Sequence, residues 1–307
     1  MGVSTRPSTT HRKQRSLTTC ALAVVLFASA AHPALTAAPI IDDTDVEATQ
    51  SIASDTAHEV SISMVEPGKE SLALSARLTT MSLHIAKDVI WQVRNDSGEL
   101  VLDATANELQ SPLPPGEYVV EAQYGAVSLR ETVRLVEGNS IAVNFVLNAG
   151  GLRVLSSLKG LSSDDFQPKT LVYSLSGPEK GKLITHSEHV GELLKLPAGL
   201  YRVESRMGEG NAIAVTDVRI RPGKMSAIEV NHQAGIARLN FVGAPDAKVS
   251  WDVRPIDGIK ITSLAGITQK LALKPGTYLA EAHVNGEILT AKFKIIAGEE
   301  RDIMLGN

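Results

Sequence analysis

Cysteine is nearly missing from this sequence of 307 residues: Cys20 is the only one, and it lies in an apolar N-terminal run. A chain processed beyond that run holds no thiol, which leaves no intramolecular disulfide, thiolate metal site or cysteine nucleophile. Aromatic residues are scarce at 4%, so each core must rest on aliphatic side chains around a few rings. A basic cluster is also missing from the body of the chain. The formal net charge is -4, and Arg6, Arg12, Lys13 and Arg15 stand unopposed in the first 38 residues, so the remainder carries -4 - 4 = -8. That balance argues against nucleic acid as a partner, because phosphate binding draws on Lys and Arg. The sequence has no Gly-x-Ser-x-Gly elbow, no Gly-x-x-x-x-Gly-Lys loop and no His-Glu-x-x-His pair. The commoner motif routes to hydrolase, nucleotide and zinc chemistry are therefore closed, and no cofactor is expected.

What is present begins with an export signal. Residues 1–16 are basic, Leu17 to Ala31 is almost wholly apolar, and Ala28-Ser29-Ala30 supplies small residues for cleavage. The apolar run is shorter than the roughly twenty residues a membrane span needs, so no stable span is expected after processing. The reading is a signal peptide over 1–38 and a periplasmic or secreted product. From Pro39 to Glu59 there are six acids and no Lys or Arg, which places a disordered acidic leader over 39–66. Within it, Val60 to Val65 alternates, and Glu66-Pro67-Gly68-Lys69 echoes Arg221-Pro222-Gly223-Lys224, so a stray strand is expected there.

The rest is a threefold repeat. Leu113-Pro114-Pro115-Gly116-Glu117-Tyr118 returns as Leu196-Pro197-Ala198-Gly199-Leu200-Tyr201 and as Leu273-Lys274-Pro275-Gly276-Thr277-Tyr278. Pro presets one turn dihedral, Gly tolerates positive φ, and an alternating strand starts near Tyr. Gly116, Gly199 and Gly276 are thus expected at positive φ or against packed backbone. An aromatic, Trp91, Tyr173 or Trp251, precedes the turn Gly by 25, 26 and 25 residues, and Gly138, Gly223 and Gly298 follow it by 22, 24 and 22. The modules are assigned to 67–148, 149–233 and 234–307. About seven strands fit between the turns of each, which suits an antiparallel two-sheet sandwich. The joins at Val146–Leu152 and Val230–Ile236 leave no linker to flex, so the fold class is all-β: three tandem seven-stranded β-sandwich modules in a semi-rigid rod.

An early aromatic strand, a Pro/Gly-x-Tyr strand, a Gly turn and a final strand resemble immunoglobulin-like modules of bacterial envelope proteins, in particular carboxypeptidase-regulatory-like and PEGA-type domains. The resemblance covers about 71–307. It implies a sandwich fold and a role as spacer, adhesion unit or accessory, with a protein or glycan of the cell envelope as partner and no enzymatic activity. A carbohydrate-binding protein using exposed aromatics is the alternative, and an enzyme or enzyme inhibitor with a site on module-two loops is a third.

Candidate sites are few. His186-Ser187-Glu188-His189 crowds two imidazoles and a carboxylate, but strand residues three apart face opposite sides, and a solvated loop is the plainer reading. Asp164-Asp165 supplies too few oxygens for calcium. Glu121, Glu204 and Glu281 recur on the face opposite each Tyr, where pairing with a basic neighbour explains them. Ser156–Gln167 reads as an insertion peculiar to module two. Its tip, Ser162, Ser163, Asp164, Asp165, Phe166 and Gln167, is the candidate partner-binding loop, because loops vary on a fixed scaffold where binding is selected.

Overall fold

The computed structural model describes residues 58–306, and every element among them is a strand. The expected signal peptide over 1–38, with Cys20, and the expected leader up to residue 57 lie outside the described residues. Module one comprises β2 (Ser71–Arg77), β3 (Val89–Asn95), β4 (Leu100–Ala106), β5 (Glu108–Pro112), β6 (Gly116–Tyr124), β7 (Val127–Leu135) and β8 (Asn139–Val146). Module two follows as β9 (Ala149–Leu158), β10 (Pro168–Ser174), β11 (Leu183–Ser187), β12 (Leu193–Pro197), β13 (Gly199–Met207), β14 (Ile213–Ile220) and β15 (Met225–His232). Module three is β16 (Gly235–Val242), β17 (Val249–Pro255), β18 (Thr262–Ala265), β19 (Thr268–Leu273), β20 (Gly276–Val284), β21 (Glu287–Ile295) and β22 (Glu300–Gly306).

Each module folds into two facing sheets of the same order. One sheet is β5-β2-β8, β12-β9-β15 or β19-β16-β22, and the other is β4-β3-β6-β7, β11-β10-β13-β14 or β18-β17-β20-β21. The first and last strands of each module pair in parallel, and the remaining pairs are antiparallel. The sandwich therefore differs in strand order from antibody constant domains, where the first strand shares a sheet with the second. The expected stray strand is real: β1 (His58–Met64) adds antiparallel to β8 and makes the first module's smaller sheet four-stranded. The end of the segment read as a disordered leader is thus ordered, since β8 offers it an open ladder of backbone groups.

Alternation explains why these residues are strands. Tyr118, Val120 and Ala122 of β6 are buried against Trp91 and Val93 of β3, while Val119, Glu121 and Gln123 face outward. Module three repeats this with Tyr278, Ala280 and Ala282 over Trp251 and Val253. The tyrosine turn has a fixed chemistry: the hydroxyls of Tyr118, Tyr201 and Tyr278 each donate to a carbonyl four residues earlier, Pro114, Pro197 and Lys274, at 2.8 Å. A buried phenol needs such a partner, and burial pushes the Tyr201 hydroxyl up to about 12.

Three expectations need correction. Gly116, Gly199 and Gly276 do not have positive φ; a Cβ there would meet the ring of the Tyr two residues on at 3.4–3.5 Å, an ordinary contact. Positive φ falls on Gly138, Gly223 and Gly298, at 78°, 65° and 82°, where the second turn requires it. Tyr173 is not the counterpart of the two tryptophans: pairing of Val172 with Val203 matches Val93 with Val120, which puts Thr170 at the Trp91 place and leaves Tyr173 half-buried. Longer connections on both sides of β11, over 175–182 and 188–192, shifted the spacing. Finally, the connection between the first two strands runs over 78–88 in module one, 159–167 in module two and 243–248 in module three, so it is not an insertion peculiar to module two.

Two residues separate β8 from β9, and two separate β15 from β16. Neighbouring modules also touch through a joint that recurs. At the first, Ala126 N–H in the β6–β7 turn donates to Lys195 carbonyl at 3.0 Å; at the second, Ala212 N–H after β13 donates to Ala272 carbonyl at 3.3 Å. Lys195 and Ala272 each directly precede the recurring Leu of the repeat. Close approach makes glycine necessary: a Cβ on Gly125 would stand 2.7 Å from Lys195 carbonyl oxygen, and one on Gly210 only 1.8 Å from that of Ala272. The second joint has its own apolar cluster of Leu158, Phe166, Met207, Ala212, Ala234, Ile236 and Ala272.

Candidate functional surfaces

The candidate loop at residues 162–167 is partly spent inside the molecule. Phe166 is buried in the second joint, and the Asp165 carboxylate pairs with Lys270 of module three, which holds its pKa below the usual carboxylate range. Ser162 accepts from the Asp164 N–H at 3.2 Å and donates to the Asp164 carboxylate at 2.8 Å, closing a local turn. Only Ser162, Asp164 and Gln167 face solvent with their side chains otherwise uncommitted to module three, and Ser163 is half-buried. Asp165 is thus taken by an amine, and the calcium reading loses one of its two carboxylates.

His186 and His189 are both exposed, the first at the end of β11 and the second in the turn after it, and Glu188 between them pairs with Lys169 at 2.9 Å. That lysine's hydrogen bond lowers the Glu188 pKa. The recurring glutamates each find a basic neighbour, as the repeat suggested, but by three routes: Glu121 with Arg130 across the β6–β7 pair at 2.9 Å, Glu204 with Arg206 along one strand at 2.5 Å, and Glu281 with Arg254 diagonally at 3.5 Å. Hydrogen bonding from Ser128, then Arg130, lowers Glu121.

Three features were not legible beforehand. On the outer face of β17 and β20, Asp252, Glu281 and His283 bring one ligand atom each within 4.8 Å of one another. The same positions hold Gln92, Glu121 and Gln123 in module one and Leu171, Glu204 and Arg206 in module two, by strand register. Inside module two, where the others keep Trp over Ala, Thr170 faces Ser205, and the Ser205 hydroxyl lies 2.9 Å from His232 Nε2 and 2.8 Å from Ser156 Oγ. Burial depresses the His232 pKa, and the nearby Ala212 carbonyl offsets only part of this. Its Nδ1 makes no hydrogen bond among the described residues. Thirdly, Met81 and Leu83 in the module-one loop 78–88 are 91% and 94% exposed. Register across strands, which joins residues some thirty positions apart, could have found the first; composition could not.

No family model matches the chain. No curated protein matches it either. Among solved structures, the Bacillus anthracis TIE protein is 15% identical with a TM-score of 0.23, covering 78% of this chain and 50% of its own, so the chain spans half that protein's length. The streptococcal ancillary pilin is 14% identical with a TM-score of 0.26, over 78% of this chain and 98% of that one. The major pilin subunit BcpA of Bacillus cereus is 10% identical with a TM-score of 0.22, over 78% and 99%. At such scores these similarities assign neither family nor role, and the sandwich assignment rests on this chain's own sheets.

Proposed function

We propose that the protein is an exported, non-enzymatic component of the bacterial envelope whose three sandwiches form a spacer that holds or docks other envelope components. The observation that carries this reading is the recurring joint. The same backbone contact, Ala126 to Lys195 and Ala212 to Ala272, links successive modules, each with a glycine that admits it. Domains joined by exposed linkers move independently by default, whereas backbone-to-backbone contacts over a shared apolar cluster favour fixed spacing. Trp91 and Trp251 are both fully buried, so neither presents a ring face to a sugar, and of the three aromatics at issue in the sugar-binding alternative only the half-buried Tyr173 is partly accessible. A protein partner would find exposed apolar side chains at Met81 and Leu83, and polar ones at Ser162, Asp164 and Gln167.

Crosslinking and pull-down from envelope fractions test this reading. The chain should start between Ala31 and Pro39 by N-terminal sequencing and should capture an envelope component; replacing Met81 and Leu83 by Ser, or 162–164 by Gly/Ser, should weaken capture more than the same edit at Asn95–Gly98. Recovery of an intact N-terminus in the membrane pellet, or equal capture by all variants, would count against it.

A further inference from the structure

The outer face of module three differs from its siblings in one chemical respect. Of the three equivalent sets, only Asp252, Glu281 and His283 consist wholly of metal-ligating side chains; module one replaces two of them by amides, and module two puts Leu171 and Arg206 at those places. The side chains come from directly paired residues, since Asp252 faces Glu281 across the ladder and His283 lies two residues further along β20 on the same face. Their positions are therefore set by the sheet and not by a loop.

The His283 ring gives a second observation. Its Nε2 is shielded from solvent, although the side chain as a whole is 37% exposed, and makes no hydrogen bond among the described residues; Asp252 Oδ2 lies 3.6 Å away. At 3.6 Å a hydrogen bond is not made. A shielded imidazole nitrogen that stops short of a carboxylate is costly unless something sits between them. Two ligands of one tetrahedral zinc ion, at the usual bond lengths of about 2.0–2.2 Å, lie roughly 3.3–3.5 Å apart, so the observed gap matches a shared cation after a small adjustment.

We propose that Asp252, Glu281 and His283 form a binding site for a divalent transition-metal ion of the zinc class, with the remaining coordination position open to water. One imidazole with two carboxylates suits such an ion better than magnesium or calcium, which take oxygen ligands throughout. Ser263, whose hydroxyl donates to Asp252 Oδ1 at 2.6 Å, fixes the carboxylate from behind and leaves Oδ2 for the ion. Lys260 Nζ at 3.4 Å from both Asp252 oxygens and Arg254 at 3.5 Å from Glu281 are loose pairs that a dication displaces toward solvent.

The site does not depend on the spacer reading and can fail or stand without it. The test is calorimetric titration of the whole untagged chain with zinc chloride, with Cys20→Ser in every sample so that no thiol competes. One ion per chain is expected. His283→Gln, which installs the residue module one carries at that place, and Asp252→Asn should each weaken binding by about tenfold or more, with unchanged β-type circular dichroism. The double substitution His186→Gln with His189→Gln should leave it unchanged, and Lys260→Gln should tighten it by removing a competing cation. No zinc uptake by the parent chain, or equal uptake by the His283→Gln chain, overturns the proposal.

Discussion

Asn211 of module two donates from its side-chain amide to the Tyr278 hydroxyl of module three at 3.2 Å, and its carbonyl oxygen accepts from Lys274 N–H at 2.9 Å. The tyrosine that closes the turn inside one module is therefore also the anchor for its neighbour. Beside Asn211, Gly210 brings its backbone against Ala272. Intramodule and intermodule order share the same residues, and the consequences can be measured.

Gly210→Val should break the second joint. Its side chain would overlap the Ala272 carbonyl, at the 1.8 Å given above for Cβ alone, and relief requires the modules to part. Overpacking of this kind costs about 1–3 kcal/mol. Scanning calorimetry should show module three melting separately from the rest, and a single unshifted transition would show that the joint carries no stability.

The glycines separate into two classes. Gly223→Val and Gly298→Val force a β-branched residue to positive φ and press on the module before, where Thr79 and the Lys159 carbonyl lie 3.2 and 3.1 Å from the added Cβ. Each should cost roughly 1–3 kcal/mol. Gly199→Ala, without positive φ, should cost less than about 1 kcal/mol because the Tyr201 ring is at ordinary contact distance. Denaturant midpoints check this, and equal losses at both classes would contradict it.

Tyr201→Phe removes the hydroxyl that donates to the Pro197 carbonyl at 2.8 Å while keeping the ring. A loss of about 0.5–1.5 kcal/mol is expected in urea unfolding, with the same β-type circular dichroism before unfolding. The equivalent change at Tyr278 should cost more, since Asn211 also bonds that hydroxyl.

His232 gives module two an acid sensitivity. Burial lowers its folded pKa below the ordinary histidine value, so the unfolded chain binds the proton more readily. Its contribution is fully present above about pH 6.5, declines as pH falls below that, and levels off beneath the depressed folded pKa. His232→Gln should flatten the fall in thermal midpoint between neutral pH and pH 5. A fall of the same steepness in both chains would assign it to other groups.

The sequence made the architecture plain where one strand's own pattern carries it. Alternation around Tyr118 and Tyr278 and the doublets of turn glycines are local, and the sandwiches of seven strands follow from them. The correspondence of Tyr173 with Trp91 failed because spacing along the chain is altered by the longer connections on both sides of β11, while equivalence in a sheet is set by pairing across it. The same limit hid the cluster on module three: Asp252 and Glu281 meet only through β17–β20 register. Phe166 belonged to an apolar contact with a different module, which no pattern within its own loop reveals.

The account stands or falls on whether the joints fix the modules against each other. Spin labels at Ser97→Cys in module one and Asp257→Cys in module three, both on exposed turns of a chain whose Cys20 is replaced by Ser, allow pulsed dipolar spectroscopy of that spacing. The account predicts one narrow distance distribution that broadens when Gly210→Val is added. A broad distribution in the parent chain, unchanged by Gly210→Val, would contradict it.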